Sequence, residues 1–166
     1  MRESDSAHLI LPDASATRAL GASLAAALRA LAAEFFVIFL EGELGAGKTT
    51  LVSGLLHELG FVGSVRSPTY TLIETYDLSR LIVHHVDLYR LVSPQELETL
   101  GLRDLLGQSG VLLMEWPSKG GDQLPMPDVS IQLFYDSAGE RRRAVLNPIT
   151  SKGGKLLAGF IGVMEQ

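Results

Sequence analysis

The sequence predicts an α/β fold in which helices flank a mixed, partly antiparallel sheet. One observation is the apolar run Phe35–Glu41, which is typical of a strand buried on both faces inside a parallel sheet. A glycine-rich turn and a helical segment follow that strand, as expected for a βα unit. A second observation is that two later pairs of strand-like runs are separated by short polar segments, which indicates hairpins and antiparallel pairing.

Length and composition indicate one folded domain, and we expect it to span residues 1–166. Hydrophobic residues make up 46% of the chain and charged residues 20%, which is typical of a globular protein. The 14 basic and 19 acidic side chains give a net charge of −5, which argues against a broad basic face for nucleic acid. The chain has no cysteine, which excludes disulfides, thiolate metal sites and cysteine nucleophiles.

The sequence shows no membrane or export signal. Its most apolar run, 35–40, is far shorter than the roughly 18 consecutive apolar residues of a membrane span. The first six residues carry acidic side chains and lack the apolar stretch of a signal peptide. We therefore expect a cytoplasmic protein with no membrane partner.

Helices are predicted on both sides of the first strand. Residues 13–33 carry apolar side chains at helical spacing, and Asp13 or Ser15 is the candidate N-cap. The glycine-rich turn leads into a second helix over 48–59, which Gly60 is placed to close.

The rest of the chain predicts two hairpins, one further buried strand and short helices. The predicted strands cover residues 72–76, 81–87, 110–116, 129–135 and 142–147. The turns 77–80 and 136–140 join the first and the last pair. The predicted helices cover 93–100, with Pro94 in the first turn, 102–106 and 156–164. The proline- and glycine-rich segment 117–127 is predicted to be a loop.

The glycine-rich turn carries a phosphate-binding motif. The pattern G-x-x-x-x-G-K-[ST] is matched in full by Gly42, Glu43, Leu44, Gly45, Ala46, Gly47, Lys48 and Thr49, with Thr50 next. Glycines let successive backbone N–H groups point at phosphate oxygens, and the helix that follows directs its positive end to the same place. Lys48 supplies a full charge for the β- and γ-phosphates, and the Thr49 hydroxyl can coordinate Mg²⁺.

Acids at the ends of two other predicted strands are candidates to hold a metal ion beside this loop. A phosphate loop needs an acid at the end of a neighbouring strand, and both Asp87 and Glu115 occupy such positions. We interpret one as a metal ligand and the other as a group that positions water. The loop 67–70, which includes Thr69, offers hydroxyls that can reach the γ-phosphate or its metal ion, as switch loops do.

Three features have both a structural and a functional interpretation. His84 and His85 are adjacent, so in a strand they face opposite sides and cannot both bind one metal; we interpret them as structural. The basic run 141–143 is interpreted as a solvated hairpin edge rather than a contact for a partner. Trp116 is explained equally well by core packing and by a place beside the metal-site acid.

Four motifs follow one another along the chain: residues 42–50 (GELGAGKTT), 67–72 (SPTYTL), 85–90 (HVDLYR) and 115–117 (EWP). This ordered set resembles that of the TsaE (YjeE) family, small bacterial ATPases required for threonylcarbamoyladenosine modification of tRNA. The phosphate loop alone occurs in many families, whereas the ordered set of four is specific. The resemblance extends from near residue 9 to near residue 150.

The resemblance implies a P-loop NTPase sandwich with a partly antiparallel sheet, and ATP with Mg²⁺ as its ligands. It places the metal at Thr49 and Glu115, puts Asp87 and Thr69 in the active site and sets Trp116 beside the nucleotide. The implied partners are the TsaD and TsaB subunits, where ATP turnover resets the transferase complex after each modification cycle. tRNA would be engaged only indirectly, and the chain would not form the threonylcarbamoyl–tRNA bond.

Other functions of the same loop stay open. A small-molecule kinase needs an acceptor pocket and usually an arginine-bearing lid, and the sequence shows no clear lid. A GTP switch normally carries an Asn-Lys-x-Asp element, and the segment 118–122 lacks its asparagine and its spacing. A nucleotide-gated binding module would share every residue and differ only in turnover. Contacts to the base are predicted around Ser15 and Thr17, and slow hydrolysis is expected because the sequence places no arginine finger.

Overall fold

The computed structural model describes residues 6–107, 109–136 and 141–166. The strands are β1 Ala7–Leu11, β2 Phe35–Glu41, β3 Ile73–Leu78, β4 Leu81–Asp87, β5 Gly110–Glu115, β6 Val129–Tyr135 and β7 Arg142–Pro148. The helices are α1 Ala14–Ala30, α2 Lys48–Glu58, α3 Glu96–Leu100 and α4 Ser151–Met164.

The seven strands found among the described residues join one sheet in the order β1-β7-β6-β2-β5-β4-β3. The four central strands β6, β2, β5 and β4 are parallel, while β1, β7 and β3 pair antiparallel at the two sides. The predicted α/β fold with a mixed sheet is confirmed. The carboxyl ends of the four parallel strands meet at one edge, where ligands of open α/β sheets bind.

Helices cover the two faces of the sheet unequally. One face packs against α1, α2 and α4, whose apolar sides form the larger core with β2 and β6. The other face carries a smaller cluster that includes Val37 and Met114, covered by α3 and the 3-10 helix 102–105. No helix within the described residues is long and apolar enough to cross a membrane.

Two glycines let α1 and α2 touch backbone to backbone beneath the phosphate loop. A Cβ added to Gly21 would lie 2.1 Å from the Leu51 carbonyl oxygen, and one added to Gly54 would lie 2.1 Å from the Arg18 oxygen. Real side chains do not fit at such distances, so only glycine permits this crossing. The contact fixes the position of α2, whose first residue is Lys48.

The first half of the chain follows the prediction closely, with one omission. Helix α1 begins after Asp13, whose carboxylate accepts from the Ala16 N–H, so Asp13 rather than Ser15 is the N-cap. Strand β2 has the predicted bounds, and Gly60 takes the left-handed conformation expected after α2. The strand β1 was not predicted, because its partner β7 is remote in sequence and five residues give little periodicity.

The first hairpin has a tighter turn than predicted. Strand β3 begins at Ile73 and extends to Leu78, which pairs directly with Leu81, so two residues make the connection rather than the four at 77–80. Strand β5 ends at Glu115, one residue earlier than predicted. The second hairpin, β6 with β7, is confirmed. In its predicted turn 136–140, residues 137–140 lie outside the described part of the chain.

The predicted short helices differ in extent and type. Helix α3 begins at Glu96, so Pro94 lies in the turn that precedes the helix. The predicted short helix at 102–106 is a 3-10 helix over 102–105. The predicted loop 117–127 contains two further 3-10 helices, Pro117–Lys119 and Gly121–Gln123. These departures do not move the site.

The last helix, α4, starts five residues earlier than predicted, although the added residues include Gly153 and Gly154. The Thr150 hydroxyl caps α4 by accepting from the Gly153 N–H and donates to the Asp128 carboxylate at 2.7 Å. A Cβ on Gly153 would lie 1.9 Å from the backbone carbonyl oxygen of Asp128, so the close approach of the two backbones requires glycine at this position. Tertiary contact here outweighs the low helix propensity of glycine.

Candidate functional site

The phosphate loop (residues 42–47) joins the end of β2 to the start of α2. Gly47 precedes the helix with φ of 108°, a left-handed conformation that strains any residue with a side chain. No side chain caps α2, so its first N–H groups remain available to a ligand. The loop and the positive end of the helix dipole therefore have the geometry that suits an anion.

The side chain of Lys48 folds back onto the phosphate loop and binds its carbonyl oxygens. Its ammonium donates to the carbonyl oxygens of Gly42 and Glu43 at 2.6 and 2.9 Å, and the side chain is almost completely buried. Burial lowers the pKa of Lys48, an effect partly offset by the carboxylates of Glu115 and Asp87. An anionic ligand would offer this desolvated cation a stronger partner than two neutral carbonyls.

Glu115 lies at the centre of a buried polar network. The hydroxyl of Thr49 and the ring nitrogen Nε2 of His85 both donate to its Oε1 oxygen, at 3.0 and 2.8 Å. Both His85 and Glu115 are almost completely buried, and His85 Nδ1 has no partner among the described residues. His85 therefore orients the acid that faces the phosphate loop.

Asp87 pairs with Glu115 across β4 and β5 and organises the loop 67–70. Its Oδ2 accepts from the hydroxyls of Ser67 and Thr69, while Oδ1 accepts from the Tyr89 N–H at 2.8 Å. The structure thus brings both predicted acids and the Thr69 hydroxyl to one edge of the sheet.

Trp116 leaves the strand in a left-handed conformation, with φ of 59°. Such a conformation costs a non-glycine residue about 1–3 kcal/mol and is found mainly at functional sites. It directs the indole to Lys48, whose ammonium nitrogen lies 4.2 Å from the ring centre, and to the ring of Tyr89, 5.1 Å away. The indole therefore borders the phosphate loop and at the same time packs against the smaller core.

Arg142 approaches the phosphate loop from the side of β7. Its guanidinium donates to the Thr17 hydroxyl at 3.4 Å and lies near the ring of Tyr135, whose hydroxyl donates to the Gly45 carbonyl. Thr17 is completely buried beneath it, so a direct contact of Thr17 with a ligand is excluded in this conformation. Ser15 lies on the first turn of α1 at the same edge.

Other predicted candidates lie apart from the loop. The His84 ring bonds to Thr75 and packs near Phe35, which agrees with a structural histidine. Arg143 lies over the ring of Phe134, and Arg141 precedes β7.

The roles of Arg142 and His85 were missed by the sequence prediction. His85 precedes Asp87 by two residues and shares its face of β4, an alternation that could have indicated its contact.

Two open cavities meet at the phosphate loop. One, of about 360 Å³, is lined by loop residues and by the hydroxyl and charged side chains of Thr49, Asp87, Glu115 and Arg90. The other, of about 570 Å³, lies beside β6 and is lined by Phe134, Tyr135 and other residues. Leu44 and Trp116 border both cavities.

The central strand, glycine loop and helix, set in this sheet, define a protein of the P-loop α/β class. The chain belongs to the TsaE family, because the sequence profile of the family described as "Threonylcarbamoyl adenosine biosynthesis protein TsaE" matches residues 11–144. The family expected from the four sequence motifs is thereby confirmed.

Individual relatives agree with this assignment. The tRNA threonylcarbamoyladenosine biosynthesis protein TsaE of Haemophilus influenzae is 42% identical over 125 residues, which are 75% of this chain and 77% of the relative. The protein of the same name from a Nostoc species is 37% identical over 155 residues, covering 90% and 91% of the two chains. The crystal structure of Bacillus subtilis YdiB is similar with a TM-score of 0.77 and 28% identity, covering 94% of each chain.

Proposed function

We propose that the protein binds ATP with Mg²⁺ and hydrolyses it slowly. The observation that carries this proposal is the convergence of Lys48, Thr49 and Glu115 on one polar cavity at the start of α2. A lysine, a hydroxyl and a carboxylate beside uncapped helix N–H groups suit a nucleoside triphosphate better than a single phosphate.

The phosphates would lie against the backbone of residues 43–50. Lys48 would exchange its bonds to the loop carbonyls for bonds to the β- and γ-phosphates. Its lowered pKa supports this role, since a charge that burial disfavours gains more from a bound anion. Trp116 would line the same space through its contact with Lys48.

The residues present fit a magnesium ion. Mg²⁺ favours oxygen ligands, keeps several waters and needs only one or two protein groups beside phosphate oxygens. Thr49 Oγ1 and Glu115 Oε1 are 3.0 Å apart and would hold it, while His85 keeps the carboxylate in place. When bound, the ion would neutralise charge that develops on the phosphates.

Asp87 would position the attacking water. Its Oδ2 oxygen already accepts from two hydroxyls of the loop 67–70, so a water in the same cavity can be held between Asp87 and Thr69. In the reaction, the water oxygen bonds to the γ-phosphorus while the bond to the bridging oxygen breaks. ADP keeps that electron pair, and the protons of the water pass to phosphate and solvent.

The nucleoside would lie on the β7 side of the loop. Arg142, Tyr135 and the start of α1 form a platform beside Gly45 and Gly47, where a base can stack on the guanidinium. This arrangement keeps the predicted contact of the base with the region around Ser15. The buried Thr17 would not touch the nucleoside itself and would act by binding Arg142.

The biological setting is proposed from the family. We propose that the protein serves threonylcarbamoyladenosine synthesis on tRNA in the cytoplasm, with TsaD and TsaB subunits as partners and ATP turnover resetting their complex. Its own contact with tRNA would be weak, because a net charge of −5 offers little counterion release. This supports indirect engagement of tRNA through the complex.

Phosphate release with ATP and Mg²⁺ tests the proposal, measured with and without purified TsaD and TsaB. We expect slow release by the protein alone, faster release in the complex and loss of both in Lys48→Ala. Lys155→Ala, an exposed lysine on α4, is the matched control and should behave like the parent. Unchanged hydrolysis in a folded Lys48→Ala protein would overturn the assignment of the phosphate loop.

A small-molecule kinase is the second candidate, and the larger cavity beside the loop favours it. That cavity shares Leu44 and Trp116 with the phosphate site, so an acceptor bound there would lie next to the nucleotide phosphates. Transfer of labelled phosphate to an added metabolite, rather than to water, would support the kinase. Tight ATP binding without any turnover would indicate a nucleotide-gated binding module instead.

A further inference from the structure

The cavity of about 360 Å³ at the phosphate loop is lined by a second cationic side chain, which has no role in the proposed mechanism. Among the described residues that line it, Lys48 and Arg90 are the two cations, and Asp87 and Glu115 are the two acids. Arg90 ends the motif HVDLYR, three residues beyond Asp87. In many phosphoryl-transfer sites an arginine acts beside the lysine and the metal ion and stabilises the charge of the transition state.

The side chain of Arg90 now rests on a weak partner. Its guanidinium carbon lies 4.5 Å from the ring centre of Tyr70, and Nη2 donates to the Tyr70 hydroxyl at 3.3 Å. Tyr70 is 82% exposed, and no carboxylate lies within ion-pair distance of Arg90 in the part of the chain that the structure describes. A phosphate oxygen is a stronger partner for a guanidinium than an exposed ring.

The backbone that carries Arg90 is fixed, although the side chain is exposed. Leu88 and Leu91, on either side, are buried in the smaller core, and the Leu88 N–H donates to the Glu115 carbonyl at 3.1 Å. The Tyr89 N–H donates to the Asp87 carboxylate. A long cationic side chain is therefore anchored at the rim of the site and needs only rotations about its own bonds to enter it.

We infer that Arg90 is a catalytic residue of ATP hydrolysis, supplied by the chain itself. The inference rests on the proposed function. The guanidinium leaves Tyr70 and donates to the γ-phosphate oxygens as the bond to the bridging oxygen breaks. It remains protonated throughout and gives up no proton, so the balance of the reaction is unchanged. Because Tyr70 belongs to the loop 67–70, movement of that loop would release or retain Arg90.

Three variants test this role. Arg90→Ala removes the charge, Arg90→Lys keeps the charge without the planar fork, and Arg80→Ala is the control. Arg80 is exposed in the turn at the opposite end of β4, away from the phosphate loop. Each protein is compared for ATP affinity by calorimetry, for turnover, and for affinity towards ADP with Mg²⁺ and aluminium fluoride, an analogue of the transition state.

Arg90→Ala should keep its ATP affinity within about three-fold and lose at least about 100-fold in turnover and in affinity for the fluoride complex. Arg90→Lys should recover only part of either loss, and Arg80→Ala should match the parent. If the parent protein hydrolyses ATP and binds the fluoride complex, and Arg90→Ala equals it in both properties, the role of Arg90 is overturned while the proposed function stands. A parent that shows neither property would overturn the proposed function as well.

Discussion

The ammonium nitrogen of Lys48 lies 4.2 Å from the centre of the Trp116 ring. The contact exists because Glu115 ends its strand and Trp116 takes a left-handed backbone conformation that turns the indole to the phosphate loop. Trp116 is the chain's one tryptophan, so a single optical probe lies against the lysine proposed to bind phosphates.

Intrinsic fluorescence should therefore change when ATP or ADP binds with Mg²⁺, because Lys48 leaves the face of the indole for the phosphates. Lys48→Ala should suppress the change at the same nucleotide concentration, whereas Lys155→Ala should retain it. The measurement is a fluorescence titration with binding followed in parallel by calorimetry. Nucleotide binding without a spectral change would remove Trp116 from the site.

Glu115→Gln should reduce Mg²⁺-dependent turnover at least about 100-fold while weakening nucleotide affinity much less. The backbone cradle survives this change, but the carboxylate charge that would hold the metal is lost. Asp87→Asn should also slow turnover, without removing the dependence on Mg²⁺. Turnover measured across Mg²⁺ concentrations checks both, and the reverse pattern would show that the two acids have exchanged roles.

Gly21→Ala should lower the free energy of unfolding by about 1–3 kcal/mol or more, because the new methyl group would meet the Leu51 carbonyl. Gly162→Ala on α4 is the matched control, since a Cβ there meets nothing within 4 Å, and should raise stability by about 0.5–1 kcal/mol. Urea unfolding followed by circular dichroism measures both. Equal stability of the two variants would contradict the close helix contact.

His84 should make the protein less stable in mild acid. Burial lowers the pKa of His84 in the folded state, so below its ordinary value of about 6.5 the unfolded chain binds more protons. The stability associated with neutral His84 is complete above that pH and falls as the pH drops towards the folded-state pKa.

His84→Gln should reduce this decline, and His8→Gln, exposed on β1, controls for loss of a histidine. Unfolding midpoints in urea between pH 7 and 5 provide the comparison. A decline of the same steepness in His84→Gln and the parent would show that other groups cause it.

The phosphate loop and both acids could be predicted because their signals are local. A loop of fixed spacing follows an apolar strand, and an acid ends each of two others. Strand β1 could not be predicted in the same way, since its pairing with β7 is set by residues at the far end of the chain. The start of α4 depends on contacts of Thr150 and Gly153 with Asp128. Helix propensities of neighbouring residues carry no information about these contacts, because Asp128 is distant in sequence.

The places of Arg142 and Arg90 illustrate a second limit. Local patterns indicate that a charged residue starts or follows a strand, but not which neighbour its side chain meets. Arg142 reaches the phosphate loop because β7 pairs with β6, which lies beside β2. Arg90 meets Tyr70 because Asp87 holds the loop 67–70 near the end of β4. Both contacts follow from the order of the strands in the sheet, which local sequence patterns do not reveal.

The pairing of β1 with β7 has a consequence for biosynthesis of the chain. Leu11 is paired with Arg142, so 130 residues are synthesised between the two partners. During translation β1 therefore has no partner strand until β7 has been made. Forming this pairing between residues distant in sequence contributes to the folding barrier. The strand that completes the sheet also delivers Arg142 to the phosphate loop. A nascent chain consequently completes the proposed nucleotide platform only after β7 has been made and has paired.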